Sequence, residues 1–143
     1  MNNFVFCTPT KVFFGRGIEQ SIGENIRAFG AKKVLLHYGG GSVKRNGLLD
    51  KVINSLNASG LPFVELGGVE PNPKLSLIRK GIALCKSEEV NFLLAVGGGS
   101  VIDSAKAIGV GLANNCDPWD FIETKTAPDK CMSVGVVLTL SAA

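Results

Sequence analysis

The chain has 143 residues, 45% of them hydrophobic and 19% charged, with a formal net charge of +3. That length and mixture suit one soluble domain with a real core and not a disordered segment. The small charge, with no basic run interleaved with aromatics, excludes nucleic acid as an expected partner, and no stretch approaches the roughly 18 apolar residues of a membrane span.

In chain order, the first expected element is a small amino-terminal β-hairpin. Two β-prone pieces, Phe4-Val5-Phe6 and Lys11 to Phe14, flank Thr8-Pro9-Thr10, and proline is tolerated at such an edge. Ile18, Ile22, Ile26 and Phe29 recur at helical spacing and predict a helix stopped by Gly30. Val34 to His37 is a short apolar run that reads as a buried strand, and Tyr38-Gly39-Gly40-Gly41-Ser42 follows it. Helix is predicted from Val43, broken at Asn46-Gly47 and resumed to Gly60. A strand over 62–66, a rigid loop GGVEPNP over 67–73 and a helix over 74–86 come next.

The stretch NFLLAVGGGSVIDSAKAIGVG (91–111) organises the rest. Phe92 to Val96 has no polar alternation and reads as a strand buried on both faces, and Val101, Ala105, Ile108 and Leu112 recur at helical spacing after the glycines. Ser100 is expected as an N-cap, with Asp103 completing a variant capping box. The NNCDPWD stretch (114–120) predicts a turn anchored by Trp119 with one helical turn after Pro118. Residues 132–140 predict the last strand. Strands alternating with helices imply an α/β fold, a mostly parallel Rossmann-like sheet with helices on both faces. Right-handed crossovers would bring both glycine loops to the carboxyl rim of that sheet.

YGGGSV and VGGGSV are near copies, each a strand, three glycines, a serine and a helix. Gly97, Gly98, Gly99 and Ser100 therefore form a candidate anion site of free amides at a helix end, and Gly39, Gly40 and Ser42 form a second. Neither copy is GxGxxG, and no acidic residue closes the second strand. Lys44 and Arg45 lie in the first turn after Ser42, where cations oppose the helix dipole unless an anion binds there. Asp103 would repel an unshielded phosphate, so charge alone places the more anionic group at the first loop. Asn72, held between Pro71 and Pro73, is stiffened in a way that suits a ligand contact. His37 reads as a packed or hydrogen-bonded core histidine. Cys7, Cys85, Cys116 and Cys131 form no CxxC pair and are expected as free thiols; with a single histidine they offer no metal site. MNNFVFCTPTK lacks a secretory pattern, which points to a cytoplasmic location.

NNFVFCTPTKVFFGRG, YGGGSVKRNG, GGVEPNP, FLLAVGGGSVIDSAKAI, DPWDFI and VLTLSAA, in that order, resemble the amino-terminal domain of iron-containing (group III) alcohol dehydrogenases. The resemblance is to the NADPH-dependent aldehyde reductase and butanol dehydrogenase branch, and it runs the length of the chain. It implies that residues 1–143 are the nucleotide-binding domain of an oxidoreductase that moves a hydride between NAD(P)H and a small alcohol or aldehyde. Iron or zinc would be held by a separate helical domain. It further implies that Gly97 to Ser100 hold the diphosphate, with Asp103 nearby, and this placement is preferred to the one drawn from charge. By the same resemblance Gly39, Gly40 and Ser42 surround the adenosine ribose, Asn72 touches the adenosine side, and Thr139 and Leu140 border the nicotinamide ribose. Many NAD-preferring members carry an aspartate in the first loop; here glycines and then Lys44-Arg45 stand there, so NADP(H) is expected over NAD(H).

Because the motif after VLTL is cut short, the chain is expected to be a fragment with no catalytic or metal residues of its own. It would not transfer hydride alone, and a homo-oligomer is plausible through apolar surface left uncovered. The competing expectation is a non-catalytic α/β module that binds a dinucleotide or phosphate.

Overall fold

Two runs with no polar alternation, VLLHY and FLLAV, become the centre of the sheet. In the computed structural model, which describes Val5 and residues 7–139, they are β1 (Val34–Gly39) and β3 (Phe92–Gly97). They pair in parallel, with Val34 opposite Phe92 and Tyr38 opposite Val96. β2 (Phe63–Val69) lies outside β1 and β4 (Val134–Leu138) outside β3, giving the order β2-β1-β3-β4, every pair parallel.

A single 3₁₀ turn (Ile18–Ser21) leads into α1 (Ile22–Ala28), and α2 (Ser42–Arg45) and α3 (Leu48–Ala58) connect β1 to β2. Ile26, Val43, Val52 and Leu56 from these helices bury one sheet face with Leu36 and Leu94. α4 (Leu75–Ser87) and α5 (Gly99–Asn114) carry the chain back across to β3 and on to β4. Their Ile78, Cys85 and Ile108 bury the other face with Leu35 and Leu93. Crossovers of one hand that travel in opposite directions must use opposite faces, which is why the first pair of helices and the second pair are separated. α6 (Trp119–Thr124) follows α5. All four cysteines are free thiols, and burial pushes the Cys85 thiol up to about 12.

The sheet and its two helical layers match the expected class. The hairpin does not form among the described residues. Phe4 and Phe6 lie outside them, while Lys11 to Phe14 belong to no strand and are exposed, Phe14 at 99%. A lone two-stranded ribbon is marginal in water, and these residues find no sheet face to lie on. β2 runs three residues further than expected, through Gly67 and Gly68. The extra residue is absorbed by a bulge, since His37 pairs with Leu66 but Gly39 with Val69. Gly68 takes φ +89° there, a conformation that glycine adopts without steric cost.

Candidate functional site

The chain steps from β1 outward to β2, then returns past β1 to β3. The order therefore reverses between β1 and β3, and open α/β sheets form a crevice at the carboxyl ends of such a strand pair. Both glycine loops sit at that reversal, with Gly39 ending β1 and Gly97 ending β3.

The second loop leads directly into a helix. Gly98 is the extended residue before α5, and its carbonyl accepts the Val101 and Ile102 amides at 3.0 and 3.2 Å. Ser100 thus lies inside the first turn and makes no side-chain cap, so the capping box with Asp103 does not form. The helix starts earlier than expected because glycine, and not serine, makes the turn from the strand. The consequence is chemical: the Gly99 and Ser100 amides have no acceptor within the helix and face the rim at the positive end of a 16-residue dipole. Gly99 is exposed, and a Cβ placed on it would meet nothing within 4 Å. Gly97 is the opposite case: it is buried, and its Cβ would lie 2.5 Å from Val101 Cγ2. Asp103 is exposed on the same helix.

The first loop has a different electrostatic origin. α2 has only four residues, so Lys44 and Arg45 stand in its last turn as much as its first. The expected opposition between these cations and the dipole therefore disappears, because so short a helix has no separated ends. Positive charge here comes from side chains. Lys44 Nζ sits 5.2 Å over the Tyr38 ring, and the Arg45 guanidinium folds back against Gly41. The Tyr38 hydroxyl donates to Glu65 at 2.8 Å; burial, and then the neighbouring carboxylate, push its pKa up to about 12. Gly40, Ser42 and Lys44 are exposed and Gly39 half-buried.

Two further segments reach the same rim. Asn72 is exposed after β2 with φ +61°, a left-handed conformation that asparagine tolerates better than most residues. Lys74 pairs with Glu70 at 2.6 Å across this turn. At the far side the Thr139 amide donates to the Gly97 carbonyl at 3.1 Å, tying the end of β4 to the second loop. Leu140 lies outside the described residues. Gly39, Gly40, Ser42, Lys44, Asn72, Gly97, Gly98, Gly99, Ser100 and Thr139 thus all lie in segments that leave the carboxyl ends of the four strands.

His37 and Ser104 are fully buried, and Leu66, its other contact, is buried as well. Leu66 offers only a carbonyl, so Nδ1–H donates to it at 2.7 Å, and Nε2 accepts from Ser104 Oγ at 2.8 Å. Burial lowers its pKa, with the Leu66 bond opposing, which favours the neutral ring. Ser104 and Glu65 were not legible as partners. A serine within the apolar spacing of a helix was the one available signal. Trp119 does not anchor its turn: it is 43% exposed, whereas Pro118 is buried. The turn is held by Asp117, which accepts the Trp119 amide at 3.0 Å and Arg79 Nε at 2.7 Å. An apolar hollow, lined by Pro73, Leu75, Ile78, Val110, Trp119 and Phe121, lies against α4, α5 and α6 and contains no glycine-loop residue.

No group of three or more His, Cys, Asp or Glu side chains converges among the described residues, and both nitrogens of the one histidine are engaged. These residues do not fit an iron or zinc ion. Among the described residues no helix is long and apolar enough to cross a membrane.

A family model for iron-containing alcohol dehydrogenase matches residues 9–143. Similar proteins include "Probable NADH-dependent butanol dehydrogenase 1" of Bacillus subtilis, 51% identical over 99% of this chain. The NADPH-dependent aldehyde reductase YqhD of Escherichia coli is 42% identical, again over 99% of the chain. The crystal structure of NADH-dependent butanol dehydrogenase A from Thermotoga maritima superposes with a TM-score of 0.93 at 48% identity, covering 99% of this chain and 36% of that one. The chain also spans 36% of the length of both curated relatives.

Proposed function

Since this chain belongs to the iron-containing alcohol dehydrogenase family, we propose that residues 1–143 act as the dinucleotide-binding domain of an oxidoreductase for small alcohols and aldehydes. The observation that carries the reading is the second glycine loop at the strand reversal, with unbonded amides at the start of a long helix. Gly97 to Ser100 hold the diphosphate through backbone N–H groups, with Asp103 at the edge of the site. Gly39, Gly40 and Ser42 surround the adenosine ribose, Asn72 contacts the adenosine side, and Thr139 and Leu140 border the nicotinamide ribose. The dinucleotide supplies the hydride; the chain binds and orients it. The donor set favours a second, narrower reading for the chain by itself: it binds the dinucleotide and catalyses nothing, because no group of three or more His, Cys, Asp or Glu side chains among the described residues converges to hold a metal that would polarise a substrate oxygen. A cytoplasmic location accords with either reading.

The relatives named above use NADH or NADPH, so their names do not decide between the two. The preference for NADPH rests on Lys44 and Arg45 beside a loop with no acidic residue between Gly39 and Ser42. Calorimetric titration of the purified chain tests this. NADPH should bind more tightly than NADH by about tenfold, the 1.4 kcal/mol of one good charge-assisted contact. The difference should vanish in the Lys44→Ala, Arg45→Ala double variant, with NADH binding unchanged. Tighter binding of NADH, or no binding by a folded chain, would contradict the proposal.

A further inference from the structure

At its start beside the crevice, α5 makes two contacts on one face, three residues apart. The first is apolar: Val101 packs where β1 and β3 end, so close that Gly97 has no room for a Cβ and Gly39 would bring one within 3.5 Å. The second is polar: fully buried Ser104 donates to His37 Nε2. Ala105 and Ile108 pack α5 onto the sheet further along its length, so these two contacts bear on where its first turn sits.

The imidazole joins more than a strand and a helix. Through Nδ1 it also reaches the Leu66 carbonyl, the last β2 residue before the bulge at Gly67-Gly68. Each of the three elements it joins carries a loop of the rim. Two residues beyond His37, β1 becomes Gly39. Beyond Leu66, β2 bulges and runs out to Asn72. One helical turn before Ser104 lies Ser100. No other side-chain hydrogen bonds among the described residues connect all three.

Packing alone does not require this pair. His37 pairs with Ala95 across the sheet, and Val69, Val101 and Ala105 form an apolar cluster with Ala95. A leucine at 37 and an alanine at 104 would fill comparable space without the desolvation cost of two buried polar groups. What the hydrogen bonds add is position: an imidazole bonded at both nitrogens cannot rotate, and a helix bonded to it cannot slide.

We propose that His37 and Ser104 form a buried latch that sets where the first turn of α5 sits relative to the two glycine loops, making them positioning residues for the dinucleotide. The proposal rests on the reading of the rim as a dinucleotide site. Both side chains are fully buried and act through the backbone, by placing the Gly99 and Ser100 amides.

Ser104→Ala removes the hydroxyl and little else, and Ser104→Thr retains it. Two quantities are read from the purified chain: amide hydrogen exchange along α5 without ligand, and the calorimetric affinity for NADPH. In Ser104→Ala, exchange at Val101, Ile102 and Asp103 should quicken and NADPH binding weaken, each by about tenfold, a coupling of ordinary size. Exchange from Ile108 to Leu112 should stay as in the parent chain, and Ser104→Thr should return both quantities towards it. Unchanged exchange in the first turn, or a uniform rise along the whole helix, would overturn the latch, the latter marking general loss of stability. The exchange result is independent of cofactor, so a parent chain that binds no dinucleotide would sink the functional reading while the latch is still decided by exchange.

Discussion

The two glycine loops share GGGSV and end neighbouring strands, but the helices that follow them are four and sixteen residues long. That difference changes where each obtains positive potential. After the second loop the backbone supplies it, through unbonded amides and an aligned dipole. After the first, side chains supply it, through Lys44 over Tyr38 and Arg45 folded over Gly41. A backbone site suits a group common to every dinucleotide, and a side-chain site suits a group that distinguishes one dinucleotide from another. A repeated motif thus need not mean a repeated role, because the length of the next helix decides which physics is available.

The sharpest way to break the comparison is at the first glycine of each loop. Both face Val101, but a Cβ would lie 2.5 Å from its Cγ2 at Gly97 and 3.5 Å at Gly39. Gly97→Ala should destabilise the fold by about 1–3 kcal/mol, as overpacking does, while Gly39→Ala should stay within about 0.5 kcal/mol. Urea denaturation of the two variants checks this, and equal losses would mean that the loops are packed alike.

A smaller effect separates the strands before the loops, where His37 in β1 stands opposite Ala95 in β3. Burial holds the native His37 pKa below its ordinary value of 6.5, so the folded state favours the neutral ring. Its stabilising contribution is complete above that value. It falls as pH drops from 6.5 towards the native pKa, by at most about 1.4 kcal/mol per pH unit. His37→Gln should flatten this part of the stability profile measured between pH 7 and pH 5. A profile of unchanged slope in that variant would assign the acid sensitivity to other groups.

The central strands were legible because VLLH and FLLAV are apolar without alternation, a pattern that only burial on both faces explains. The glycine loops were legible because each interrupts such a run just before a helical period. Of the expected hairpin, the described piece Lys11 to Phe14 forms no strand: Val12-Phe13-Phe14 states a β preference but not a partner, and pairing is a property of two segments. The helix start was misread for a related reason. Ser100 is a good capping residue in isolation, yet Gly98 already adopts the extended conformation needed before α5. The His37–Ser104 bond spans 67 positions, and no local pattern announces a contact that depends on how α5 crosses the sheet. Of the site, the glycines and the basic pair could be read locally. The strand reversal that unites them could not, because strand order is fixed by which faces the crossovers cover.

The most direct test of the central claim is an amide-resolved NMR titration of the chain with NADPH and then NADH. The account predicts that Gly98, Gly99 and Ser100 shift with both cofactors, and that Gly40 to Lys44 shift further with NADPH than with NADH. Shifts confined to the apolar hollow around Trp119 and Phe121, with the glycine amides unmoved, would contradict it.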